Sequence, residues 1–178
     1  MKKFSIILLT ALVIISFSAC KKSSEDFQSP GLSVYFPLSV GKYITYNLDS
    51  AIYTNFGTTL EVHSYQVKYQ TDSLITDNRG RPAYRIIRYI RNSPTAPWLS
   101  DATFMAINDI YTLEFVENNY RFVKLHLPIR NNYTWKGNSY IDTYSLNSEV
   151  KYLADWDYEY DSVGVQQQVG SFTLDNCL

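Results

Sequence analysis

Apolar and polar residues alternate in short runs along most of the chain, with turn-forming residues between the runs. This pattern predicts half-buried strands in an antiparallel sheet. In the first run Ile44, Tyr46 and Leu48 share one face while Thr45, Asn47 and Asp49 share the other. Asn55-Phe56-Gly57 supplies a turn whose glycine can take positive φ, and residues 58–71 return beside the first strand. Along that return the apolar positions switch from even (Leu60, Val62) to odd (Tyr65, Val67, Tyr69), which predicts a one-residue bulge near His63 and Ser64. A new strand is expected from Leu74-Ile75, a turn over residues 77–82, a strand over 83–91 and a proline-containing loop over 92–97. Residues 110–117 and 120–127 flank Asn118-Asn119, which suits a two-residue hairpin and sets Phe115 opposite Phe122. Pro128 ends that hairpin and a turn-rich connection surrounds Trp135. Further strands are expected over 139–146, 152–163 and 165–174.

Eight to ten strands joined by hairpins describe an all-β antiparallel meander, and long aromatic strands hide one face and shield their edges by curling into a curved sheet or partial barrel. No helix with an apolar stripe stands out after the N-terminus. Composition agrees: 16 Tyr, 9 Phe and 3 Trp in 178 residues favour strands.

The first residues break this pattern. Lys2 and Lys3 precede an almost unbroken apolar run over residues 4–17, followed by Ser18, Ala19 and Cys20, the three-part layout of a secretion signal. The run is shorter than the ~20 apolar residues that cross a ~30 Å hydrocarbon core, and Lys21 and Lys22 follow at once, so a cleaved signal peptide is the better reading than a membrane span. Phe17-Ser18-Ala19-Cys20 resembles the lipobox of bacterial lipoproteins, with Phe17 where leucine is usual. The resemblance implies cleavage before Cys20 and acylation of its thiol and new amino group, palmitate among the acyl chains. Durable anchoring needs two or more chains, which a lipid-modified cysteine supplies. The expected organisation is therefore a signal peptide over 1–19, a flexible tether over 20–30 and a single β domain over 31–178. A strand still running at the last residues suggests that the domain belongs to a longer chain.

Removing residues 1–19 leaves 14 basic against 17 acidic side chains, a net of -3, so no basic face invites nucleic acid. With Cys20 assigned to lipid, Cys177 has no disulfide partner and is expected to be a buried thiol.

Three clusters are candidates for chemistry. Asp155-Trp156-Asp157-Tyr158-Glu159-Tyr160-Asp161 alternates acids with aromatics. On an extended strand, acids two residues apart are ~6.8 Å from each other, too far to converge on a cation, so a solvated acidic face behind a buried aromatic one is expected. Arg79, Arg81, Arg85, Arg88 and Arg91 crowd into thirteen residues. They could clamp phosphate or carboxylate groups, but pairing with the acidic stripe on a neighbouring strand is the plainer expectation. Trp98, Trp135 and Trp156 could stack on sugar rings. Trp98 and Trp135 are the better ligand platform, because each sits in or beside a loop. His63 and His126 are too few for a zinc set, and His126, alternating with Leu125 and Leu127, should face the wetter side. No catalytic or cofactor motif stands out. A non-enzymatic domain is expected, with a membrane as partner through its lipid, and a glycan, another protein or an apolar ligand as what it binds.

The run Tyr35-Phe36-Pro37-Leu38-Ser39-Val40-Gly41-Lys42-Tyr43 resembles the opening of uncharacterised Bacteroidota lipoproteins, in which Phe-Pro-Leu-x-x-Gly-x-aromatic leads into a β domain. Residues 91–98, Arg121-Phe-Val-Lys-Leu125 and Trp135-Lys-Gly-Asn138 are similar to segments of the same proteins. Pro37 fixes an extended entry, Gly41 permits a tight turn, and Leu38 and Tyr43 are placed to cap the core. Acidic residues after the lipidated cysteine resemble the surface-export signals of such lipoproteins, with Lys21 and Lys22 as departures. The resemblance implies an outer-membrane location, leaves the leaflet open, and carries no activity or catalytic residues.

Overall fold

A computed structural model describes residues 29–178 of the chain. Residues 1–28, with the signal-like run, Cys20 and most of the tether, lie outside the described residues. The expected all-β architecture is present. Six strands, β1 (Tyr43–Thr54), β2 (Thr59–Thr76), β3 (Pro82–Arg91), β4 (Leu99–Asn108), β5 (Thr112–Glu117) and β6 (Tyr120–His126), form an antiparallel meander that curls into a half-barrel. Two short ribbons follow: β7 (Thr134–Lys136) with β8 (Asp157–Glu159), and β9 (Val165–Val169) with β10 (Phe172–Cys177). One helical turn, α1 (Leu32–Tyr35), precedes the sheet.

The hairpin chemistry is as the sequence implied. Asn55, Phe56 and Gly57 have positive φ between β1 and β2, and Asn118 and Asn119 do so between β5 and β6, where Phe115 faces Phe122 across the strands. Other expectations need correction. β1 pairs with β2 without interruption, Ser50 opposite His63 and Asp49 opposite Ser64, so there is no bulge there. The parity switch has another cause. Leu60 and Val62 lie on the outer half of a long hairpin and stay exposed, so their apolar character reports no core face. The irregularity falls instead between Thr71 and Ser73 against β3, and the strand runs through it, so Leu74-Ile75 continues β2. β4 was not anticipated. Two alanines weaken its strand propensity, and Phe104-Met105-Ala106-Ile107 masks the alternation because Phe104, Ala106 and Ile107 are all buried. Residues 139–150 are turns rather than a strand. Residues 165–174 fold as a hairpin about Gly170, whose φ is 61°.

One face of the meander carries an aromatic row across strands. Tyr46 meets Tyr69, Tyr69 stacks on Phe104, and Phe104 packs against Phe115, with ring centres 5.3–6.2 Å apart. The segment of the Phe-Pro-Leu resemblance lies over this face as a strap. Leu32 is buried with Leu113, Ile129 and Tyr160, while Phe36 and Leu38 also touch the cluster of Ile86, Phe104 and Ala106. The strap is tied at Gly41, φ 88°, whose N–H donates to the Thr71 carbonyl while Thr71 N–H donates to Lys42. Leu38 therefore caps the core as expected. Tyr43 does not: it is 68% exposed on the opposite face.

β7 and β8 dock on the free edge of β6. The Val123 N–H donates to the Gly137 carbonyl, the Gly137 N–H to the Trp156 carbonyl, and the Trp135 indole N–H to the Val123 carbonyl. A Cβ on Gly137 would lie 2.2 Å from the Tyr158 ring, so this approach requires glycine.

Candidate functional site

Strand alternation puts Lys68 and Gln66 of β2, Tyr89 and Arg91 of β3, and Tyr43, Asn47 and Asp49 of β1 on the face opposite the aromatic row. Register brings them side by side: Lys68 opposes Thr45 and Tyr89, and Gln66 opposes Asn47 and Arg91. The loop over 92–97 delivers Trp98 to the same place. The Arg91 guanidinium lies 4.3 Å from the Trp98 ring centre, and the Lys68 ammonium sits among three rings, 4.7 Å from Tyr89, 5.2 Å from Trp98 and 5.7 Å from Tyr43.

A hydrogen-bonded row runs away from Trp98. Arg91 donates from Nε (2.9 Å) and Nη2 (2.7 Å) to Gln66 Oε1, and the Gln66 amide donates to Asn47 Oδ1 at 3.3 Å. Asp49 accepts from the Ser64 hydroxyl at 2.6 Å and lines a polar groove with Asn47, Gln66, Asn92 and Ser93. Lys68, Arg91 and Trp98 are half-exposed. Neither Lys68 nor Arg91 meets a carboxylate among the described residues. An aromatic ring flanked by amides, cations and one carboxylate can stack on a pyranose and hydrogen-bond its hydroxyls.

A second cluster behaves differently. Glu114 has no exposed surface, yet cationic and hydroxyl donors surround its carboxyl. The Arg81 guanidinium grips both its oxygens (3.0 and 2.6 Å), Arg121 donates to it, and the Tyr140 hydroxyl donates at 3.0 Å. Asp77, whose side chain is fully enclosed, accepts the Arg79 and Arg81 backbone N–H groups at 2.9 Å each and the Arg81 fork at 3.0–3.1 Å; Asp109 also pairs with Arg81. Burial pushes the Glu114 carboxyl up, but bonds from Arg81, Arg121 and Tyr140 outweigh it and leave it below the usual range. Burial likewise opposes ionisation of Asp77, and the Arg81 and Arg79 N–H groups with the Arg81 guanidinium overcome it, holding that carboxyl well below the usual range. Both carboxylates and the whole Arg81 fork are engaged, so the network clamps the β2–β3 turn to β5 and β6.

The arginines of the basic stripe do not share one surface or one role. Arg81 is in the clamp and Arg85 pairs with Asp72. Arg88 pairs with Asp101 and lies over Tyr69 and Phe104 on the aromatic face, and Arg91 belongs to the Trp98 cluster. Their partners are not the acids of residues 155–161, which overturns the pairing expectation: the acids that lie beside β3 come from the β2 bulge, the turn and β4. In the acidic stripe Asp155, Asp157, Glu159 and Asp161 are exposed and Tyr160 is buried, with Lys136 pairing Asp157 at 3.1 Å. Among the described residues no three His, Cys, Asp or Glu side chains gather as a metal site.

Trp98 and Trp135 are not neighbours in any aromatic contact. Trp135 stacks on Tyr158 at 5.3 Å and 14° and on Tyr160 at 4.5 Å, packed against the Leu32 cluster. Trp156 lies over Phe122 and is 37% exposed. His63 is exposed beside Glu61. His126 is half-buried rather than wet, with the Tyr133 hydroxyl 2.9 Å from Nδ1. Cys177 is not in the core: it is half-exposed and lines an apolar groove with Phe36, Phe115 and Leu178. Cys20 lies outside the described residues. No family model, curated protein or solved structure matches the chain.

Proposed function

We propose that this chain is a bacterial envelope lipoprotein, anchored to the outer membrane through lipid on Cys20, whose half-barrel is a non-enzymatic module that binds a glycan at Trp98. The observation that carries the glycan reading is the Trp98 face itself. A half-exposed indole stands beside the hydrogen-bonded Arg91–Gln66–Asn47 row and the Asp49 groove, so stacking and hydroxyl recognition are available side by side. The anchor reading rests on residues 2–20 alone. Residues 20–30 then act as the leash that presents the domain away from the bilayer.

A glycan array probed with the full chain in a non-ionic detergent tests the reading. Binding that disappears in Trp98→Ala and survives in Trp156→Ala supports it, whereas no binding at all refutes it. Membrane fractionation of Cys20→Ala tests the anchor separately: the variant should leave the membrane pellet unlipidated.

A second reading, carriage of an apolar ligand, has its own observation. The strap leaves an apolar groove on each side, one lined by Tyr35, Phe36, Leu38, Ile44 and Tyr46, the other by Phe36, Leu113, Phe115 and Leu125. Native mass spectrometry after extraction with short-chain detergent distinguishes it, since an apolar cargo adds mass that Trp98→Ala does not remove.

A further inference from the structure

We propose that the sugar bound at Trp98 is acidic, a uronate whose ring carboxylate is held between Arg91 and Lys68. This inference rests on the glycan reading of that face and adds the charge of the ligand to it.

The two cations beside Trp98 keep unspent donors. Arg91 uses Nε and one Nη2 hydrogen on Gln66 Oε1. The Nη1 side of the guanidinium meets no acceptor among the described residues. The Lys68 ammonium has three N–H groups, and no hydrogen-bond acceptor or carboxylate meets them among the described residues; rings surround it instead. Along β3 the other two arginines are matched to acids, Arg85 to Asp72 and Arg88 to Asp101, and Arg81 just before the strand pairs with Asp77, Asp109 and Glu114, whereas Arg79 in the turn has no ion pair among the described residues. The sequence thus provides acids for its cations along β3 and stops where Trp98 begins.

The geometry selects among anions. Both cations lie over the same indole, Arg91 at 4.3 Å and Lys68 at 5.2 Å from its centre, so an anion bridging them sits close to the indole. A carboxylate carried on a pyranose meets this requirement: the ring stacks on Trp98 while its acid reaches the cations. The two-point contact with Gln66 Oε1 orients the Arg91 guanidinium, whose remaining N–H groups suit a carboxylate's two oxygens. Asp49, further along the groove, is the one acid of the patch and would accept hydroxyls of the neighbouring, uncharged end of the sugar.

The test uses the full chain in non-ionic detergent, titrated calorimetrically with oligomers of galacturonate, glucuronate and mannuronate and with their methyl esters, which keep the rings and remove the charge. The proposal expects an acid to bind about tenfold or more tighter than its ester, as a charge-assisted pair should, and this margin to shrink as salt rises. Arg91→Gln and Lys68→Gln should each lower acid binding more than ester binding and so close the margin between them, and Trp98→Ala should remove both. Equal affinity for acid and ester, with both lost in Trp98→Ala, overturns the acidic ligand and keeps the glycan reading. Failure of every acid and ester to bind, while neutral glycans on the array still do, also overturns the acidic ligand alone. No saccharide binding of any kind overturns both.

Discussion

Two groups of charge occupy the half-barrel, and they are built on opposite terms. Around Glu114 Arg81 and Arg121 have their acids, and the Glu114 and Asp77 side chains are fully enclosed with their donors. Around Trp98, Lys68 and Arg91 stand half-exposed against aromatic rings with no carboxylate of the described chain beside them. A buried ion network tolerates no loose ends, because each unpaired charge retains its desolvation cost. A surface cluster can keep its donors free, since water fills them until a ligand does. The contrast separates what fastens the fold from what faces outward.

The largest effect should come from breaking the fastened cluster. Glu114→Gln leaves Arg81 and Arg121 without their shared charge and should cost about 3–5 kcal/mol in denaturant unfolding. A loss within the range of an ordinary surface change would mean that the clamp adds nothing. Leu32→Ala, which empties the strap's anchor among Leu113, Ile129 and Tyr160, should cost about 2–5 kcal/mol by the same measurement. Gly137→Ala forces a methyl into the Tyr158 ring and should cost about 1–3 kcal/mol.

Acid should act through the same clamp. Asp77 and Glu114 have lowered pKa values in the folded state, so their contribution is complete above the unfolded carboxylate range of about 4 and is lost as pH falls below it. The thermal midpoint should drop through that window, and more shallowly in Glu114→Gln. An equal slope in both would show that other acids govern the decline.

Much of the meander was legible. Asn118-Asn119 with alternating neighbours gave the β5–β6 register down to Phe115 and Phe122, and Asn55-Phe56-Gly57 located the first hairpin. Glu114 was not recognised, although its signal was there. It alternates with Leu113 and Phe115 and so reads as an outward polar residue, but the same register sets Arg121 diagonally across from it. What hid the clamp was distance along the chain, since Asp77 and Arg81 reach Glu114 only when the sheet curls. The Trp98 cluster was half legible for a similar reason. A tryptophan beside a proline loop marks a binding candidate, whereas Lys68 and Gln66 join it only through the pairing of β2 with β3. Trp135 carried the same local signal as Trp98 and is likewise half-exposed, but Val123, Tyr158 and Tyr160 hold its ring against the fold.

The two tryptophans supply the most direct test. Trp98→Ala and Trp135→Ala, each made in the full chain, should be compared in glycan affinity and in unfolding free energy. Trp98→Ala should abolish binding with a stability change under about 1 kcal/mol, while Trp135→Ala should lose about 3 kcal/mol and still bind where it remains folded. Binding that survives Trp98→Ala would contradict the assignment of the glycan site to Trp98.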